Sequence, residues 1–289
     1  MKKFLIAFIA LSMVSALIGC TSDKPAETSA TTAATTEEET AVSTAATEEE
    51  TTAAATESIA ESEDETVAAA QETESGEIMT HAEYIAAEID SKVVIEAYVQ
   101  ATQSWWEDKI TVYAQDEDGA YFLYEMACSE EDSEKLVPGT KIRVSGFKTE
   151  WSGEIEIIDA TFEIIDGNFI ASARDVTSLL GSDELIDYQN EFVSFKGLTV
   201  EAAGEDENAD AAFLYSWDGS GEDGDDLYFN VSVDGETYTF TVESYLCDKT
   251  TDVYAAVKEL KIGDKIDAEG FLYWYEGVNP HITAVTPAQ

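Results

Sequence analysis

The segment LVPGTKIRVSGFKTEWSG at 136–153 returns as LKIGDKIDAEGFLYWYEG at 260–277, at a constant offset of 124 residues. Leu136, Gly139, Lys141, Ile142, Gly146, Phe147 and Gly153 meet identical residues at Leu260, Gly263, Lys265, Ile266, Gly270, Phe271 and Gly277, and Trp151 meets Tyr275. Seven identities without a gap over 18 positions mark a tandem duplication. The chain is therefore expected to build one small unit twice rather than one large core.

The rest of the unit can be read around that segment. Val93, Ile95, Ala97, Val99 and Ala101 alternate as a half-buried strand does, and a counterpart lies at 193–202 with Gly197 as an expected bulge. Ile110, Val112 and Ala114 begin a second strand, Asp118-Gly119 is a hairpin signal matched by Asp234-Gly235, and 120–126 returns as a third. A short polar stretch with room for one or two helical turns precedes Ile142 and Val144 of a fourth strand. Ile155 and Ile157 begin a fifth, whose apolar phase slips at Ile158 as a bulge would make it. Three strands, a short helix and two strands resemble the OB-fold, a five-stranded Greek-key barrel with its helix between strands three and four. The expected fold is mainly β, two such barrels in tandem, at 79–168 and 169–289.

The chain begins MKKFLIAFIALSMVSALIGC, a basic start and an apolar run too short to span a bilayer comfortably. Its end, Leu17-Ile18-Gly19-Cys20, resembles a bacterial lipobox, which implies cleavage before Cys20 and a lipid on its thiol. Residues 21–78 are rich in Thr, Ala and Glu, with TEEET at 36–40 and again at 47–51. Such a segment cannot bury enough surface to offset its ordering entropy, and a disordered acidic linker is expected there. In outline the chain is similar to exported lipoproteins of Gram-positive bacteria, with lipobox, acidic stalk and OB-like modules. That resemblance implies a position on the outer face of the cytoplasmic membrane, held through Cys20, and implies no activity.

The formal charge is −46, and residues 79–289 alone hold 45 acids against 12 basic residues. A surface of that sign repels phosphate backbones, so no nucleic acid is expected as a partner. A neutral glycan or wall fragment, or an envelope protein, is expected instead. The alternative is a structural or assembly component of the envelope without a small-molecule ligand. The chain has no CxxC and no Cys/His cluster, and no metal or other cofactor is expected. Cys128 and Cys247 fall at equivalent places in the two modules, which favours two separate buried thiols. No catalytic motif stands out, and no catalytic residue is assigned. The loop 204–226 concentrates Asp, Glu and Gly, but the spacing from Asp218 departs from a calcium loop, and a solvated acidic loop is expected.

The candidate ligand residues are aromatic. OB-folds hold ligands between the loop joining strands one and two and the loop joining strands four and five. On that map Trp105 and Trp106 fall in the first loop of module one and Trp151 in the second. Trp217 falls in the first loop of module two, and Tyr273, Trp274 and Tyr275 in or beside its second. The expected ligand set is Trp106, Trp151, Trp105, Trp217, Tyr273 and Tyr275, because flat rings stack on sugars and anchor proteins. The phase of Val99 and Ala101 sends Trp105 toward the core and Trp106 outward.

Overall fold

A computed structural model describes residues 76–288. The expected signal with Cys20, and all but the last residues of the acidic linker, lie outside that range.

The first barrel runs β1 (Lys92–Thr102), β2 (Lys109–Gln115), β3 (Ala120–Ala127), β4 (Thr140–Trp151) and β5 (Glu154–Asn168), closed in the order β1-β2-β3-β5-β4. All neighbours are antiparallel except β3 and β5, where Phe122 faces Glu156 and Leu123 faces Ile157 in parallel. The second barrel repeats this with β6 (Phe192–Glu201), β7 (Leu227–Val233), β8 (Glu236–Val242), β9 (Lys265–Phe271) and β10 (His281–Pro287). Its ring closes where β6 pairs with β7, and among its five strands the parallel contact joins Thr241 to His281, while Arg174–Asp175 adds a short parallel edge to β6. Both are OB-folds: the parallel pairing of the third and fifth strands is what a Greek key produces when a five-stranded sheet closes on itself.

The alternation read from the sequence holds in β1, where Val93, Ile95, Ala97 and Val99 are all buried in the first core. The slip at Ile158 is a bulge, with Asp159 at φ 49° and one residue of β4, Gly146, opposite two of β5. Gly197 likewise stands in a bulge, at φ 65°, where two residues of β6 oppose Asp267 and its amide donates to the Asp267 carboxylate at 2.8 Å. These kinks let short strands curl into a closed barrel. They also explain why the repeat keeps Gly146 and Gly270. A Cβ at Gly146 would reach 2.8 Å from the Ile158 carbonyl oxygen, and one at Gly270 would run into the backbone of His281 and Ile282.

The short helix between the third and fourth strands is present twice, with unequal duties. In the second barrel the helix at Asp252–Lys258, N-capped by Thr251, buries Val253, Tyr254 and Val257. In the first, the helix at Glu130–Ser133 buries nothing. Its place is taken by an element the periodicity did not announce, a helix at His81–Ala86 with a capping box between Thr80 and Glu83, which inserts Tyr84 into the core. The last carbonyls of this helix have no partners within it. Buried Lys148 supplies them, its Nζ donating to the oxygens of Tyr84, Ile85 and Ala87 at 2.8–3.0 Å. The repeat-equivalent residue is Leu272, fully buried in the second core. The repeat thus keeps the site and changes its chemistry to suit what covers each barrel.

Cys128 and Cys247 are both free and buried, and burial pushes each thiol up to about 11.

Candidate ligand cleft between the barrels

The outer faces of β2 and β3 are partly covered by the second barrel. Tyr113 and Phe122 pack against Phe271 and Tyr273 in a small apolar cluster joined by Ala101, Phe192 and Leu246. Tyr113 stacks on Phe271 at 4.5 Å, and its hydroxyl lies 2.6 Å from Nδ1 of His281. Tyr273 stacks on the His281 ring at 4.1 Å. Full burial holds the His281 ring well below the usual histidine range, at about 3, so it is neutral at ordinary pH.

The two modules are also pinned by a buried carboxyl. Glu154, at the start of β5, is 0% exposed and accepts from Asn190 Nδ2 at 2.6 Å, Gln189 Nε2 at 3.2 Å and the Trp274 amide at 3.0 Å. Burial outweighs the Asn190 and Trp274 donors and, with the charge of Glu156, pushes Glu154 up to about 8. Backbone bonds complete the join: the Ser104 amide donates to the Tyr245 carbonyl at 2.8 Å, and the Glu276 amide to the Ser152 carbonyl at 2.7 Å.

Above this join lies an open cleft of about 1080 Å³. Trp106, Trp151, Trp217, Tyr273 and Tyr275 all line it, so five of the six expected ligand residues meet in one place, drawn from both barrels. Trp106 is 71% exposed, Trp217 76% and Trp151 52%. Trp151 and Tyr275, partners in the sequence repeat, are also partners in space, with ring centroids 5.1 Å apart. Tyr124, Tyr228 and Tyr245 add further rings, and Gln103, Ser104, Thr111 and Asn279 add neutral polar groups. Tyr245 carries no alternation or motif signal. Only the packing of the second barrel on the first brings it here.

Two expected site residues are corrected. Trp105 is not part of the cleft lining: its indole packs on the first core and its Nε1 donates to the Cys128 carbonyl at 2.8 Å. Tyr273 reaches the cleft only from its floor, because its ring is 9% exposed and belongs to the join between the barrels. The strand phase named the outward tryptophan correctly for a reason that does not hold. A register shift at Gln100 turns Ala101 out of the core phase and into the inter-barrel cluster. A tight turn orients the tryptophans instead, with Glu107 and Asp108 at φ 47° and 61° and reciprocal backbone bonds of 3.0 Å between Trp106 and Lys109.

The acidic loop at 204–226 uses its carboxylates locally. Asp223 pairs with Lys258 and Lys249, Asp218 accepts from the Ser220 amide and hydroxyl, and Asp226 accepts from the Ser244 amide. Among the described residues no group of three or more His, Cys, Asp or Glu side chains gathers to hold a metal ion.

No family model and no curated protein matches the chain. Solved structures do resemble it in fold. A murine DNA-binding protein bound with double-stranded DNA is 10% identical, covers 68% of this chain and 96% of its own, and has a TM-score of 0.32. The HINa domain of Ifi202 in complex with a 20-bp DNA duplex is 11% identical over 69% and 100%, with a TM-score of 0.31. A replication protein A heterotrimer bound to single-stranded DNA is 13% identical over 66% of this chain and 50% of that one, with a TM-score of 0.25. The expectation that nucleic acid is not a partner is corrected on this finding.

Proposed function

We propose that the protein is a binding protein whose inter-barrel cleft holds a saccharide, and that it is displayed outside the cytoplasmic membrane on an acidic linker lipidated at Cys20. The observation that carries the ligand class is the convergence of exposed Trp106, Trp151, Trp217 and Tyr275 from both barrels on one cleft of about 1080 Å³. Apolar rings exposed at such a density leave a cost in water that a stacked ligand removes. Interspersed amide and hydroxyl groups of Gln103, Asn279 and Ser104 offer hydrogen bonds that a polyol can satisfy. The cleft requires no bond-making group for this role, and we assign it recognition rather than catalysis.

Calorimetric titration of the full chain with neutral oligosaccharides, and separately with a single-stranded oligonucleotide, tests this. The Trp106→Ala, Trp151→Ala double variant is expected to weaken saccharide binding by about 30-fold or more, at unchanged thermal stability, since both rings are exposed. Binding of the oligonucleotide alone would replace the saccharide with nucleic acid as the ligand. Binding of neither would end the small-ligand reading and favour an envelope assembly role. For the anchor, Cys20→Ser is expected to move the protein from the membrane fraction to the medium. Retention of that variant on the membrane would refute lipidation there.

A further inference from the structure

Three of the exposed rings around the cleft are followed directly in the chain by a carboxylate: Trp106 by Glu107, Trp217 by Asp218 and Tyr275 by Glu276. Glu107 and Glu276 themselves line the cleft. Both occupy left-handed turn positions, φ 47° and 53°, and neither side chain has a hydrogen bond or ion pair with any described residue. The lysine that lines the cleft, Lys109, is held by Glu125 at 2.6 Å and does not answer them. A second and separate feature lies behind the cleft wall. Glu156 on β5 is 6% exposed, has no hydrogen-bond partner, and is close enough for its charge to act on Tyr124 and Tyr273, both of which line the cleft. Burial pushes Glu156 up to about 7.

Rings paired with unanswered carboxylates are the combination that favours a cation: the ring face attracts positive charge, and the carboxylate adds a charged acceptor at its edge. A neutral sugar can donate hydroxyls to these carboxylates but leaves their charge unmatched, whereas an ammonium group supplies both the donor and the opposite charge. We propose that the cleft includes a subsite for a protonated amine at Glu107 and Glu276, so that its preferred ligand is an oligosaccharide of amino sugars with free amines. This rests on the saccharide reading above and adds its charge. A sugar stacked on Trp106 or Tyr275 shares the cleft with the carboxylate that follows each ring.

The test compares two β-1,4-linked glucosamine oligomers of equal length, one with free amines and one fully N-acetylated, titrated into the full chain at about pH 6, where such amines are largely protonated. The free-amine oligomer is expected to bind about tenfold more tightly. That preference is expected to vanish in the Glu107→Gln, Glu276→Gln double variant, read as the ratio of the two affinities within each protein. Both side chains are exposed, so the variant retains the fold. Equal affinities, tighter binding of the N-acetylated oligomer, or a preference that survives in the variant would each overturn the amine subsite and leave the saccharide reading standing. If neither oligomer binds, both fail together.

Discussion

Raising the pH from about 5 to about 8.5 is expected to lower the stability of the folded chain by several kcal/mol, on the order of 5. Three carboxyls in the region between the barrels are held above their ordinary value of 4.5. Burial, as the first cause in each, puts Glu154 at about 8, Glu156 at about 7 and Glu243 at about 7. Each keeps its proton more tightly folded than unfolded. The stability they contribute is complete below about pH 4.5 and is lost as the pH rises through their folded values. His281 works the other way. Its folded value of about 3 lies below the ordinary 6.5, so its contribution is gained between those limits and is complete above 6.5. Above pH 6.5 nothing from His281 offsets the three carboxyls, and the optimum falls on the acidic side of neutrality. Urea midpoints across this range check the slope. Glu154→Gln, which imitates the protonated carboxyl, is expected to leave stability at about pH 5 within about 1 kcal/mol and to raise it at about pH 8.5 relative to the parent chain. An unchanged slope in that variant would show that the join between the barrels does not titrate.

Lys148→Met is expected to cost about 3–5 kcal/mol, although it replaces a buried charge with an apolar side chain of similar length. The usual argument that such a swap is neutral requires that both partners of a polar contact be removed. Here the partners are backbone carbonyls of Tyr84, Ile85 and Ala87 and cannot be removed. They would remain buried without donors. The helix at His81–Ala86 would then be held to the barrel chiefly by Tyr84, whose ring lies 5.0 Å from that of Tyr121. Loss of hydrogen-exchange protection confined to that helix, ahead of the barrel strands, is the specific signature. A uniform loss, or none, would show that Lys148 does not hold the helix in place.

Much of the fold was legible because its rules are local. A strand half-buried in a small barrel must alternate, and β1 does. A bulge must break phase, and β5 breaks it at Ile158. A glycine retained by both repeats, such as Gly146 and Gly270, announces a place where the backbone of the next strand leaves no room. The helix at His81–Ala86 was missed because six residues with one buried tyrosine carry no periodicity above noise. Trp105 was placed among the ligand residues because its loop was right, although its indole bonds inward to the Cys128 carbonyl.

What the sequence by itself determined is that the chain folds as a duplicated five-stranded unit and that its tryptophans fall in the loops at one end of each copy. Alternation, turn residues and a gapless repeat are properties of neighbours along a chain, and a sequence displays them directly. Only the tertiary structure decided that the two sets of loops share a single cleft. Contacts such as Trp151 with Tyr275, Ser104 with Tyr245 and Glu154 with Asn190 join residues with no local spacing to relate them. How one barrel docks on another depends on which outward side chains bury one another best, and a strand pattern states only that they point outward.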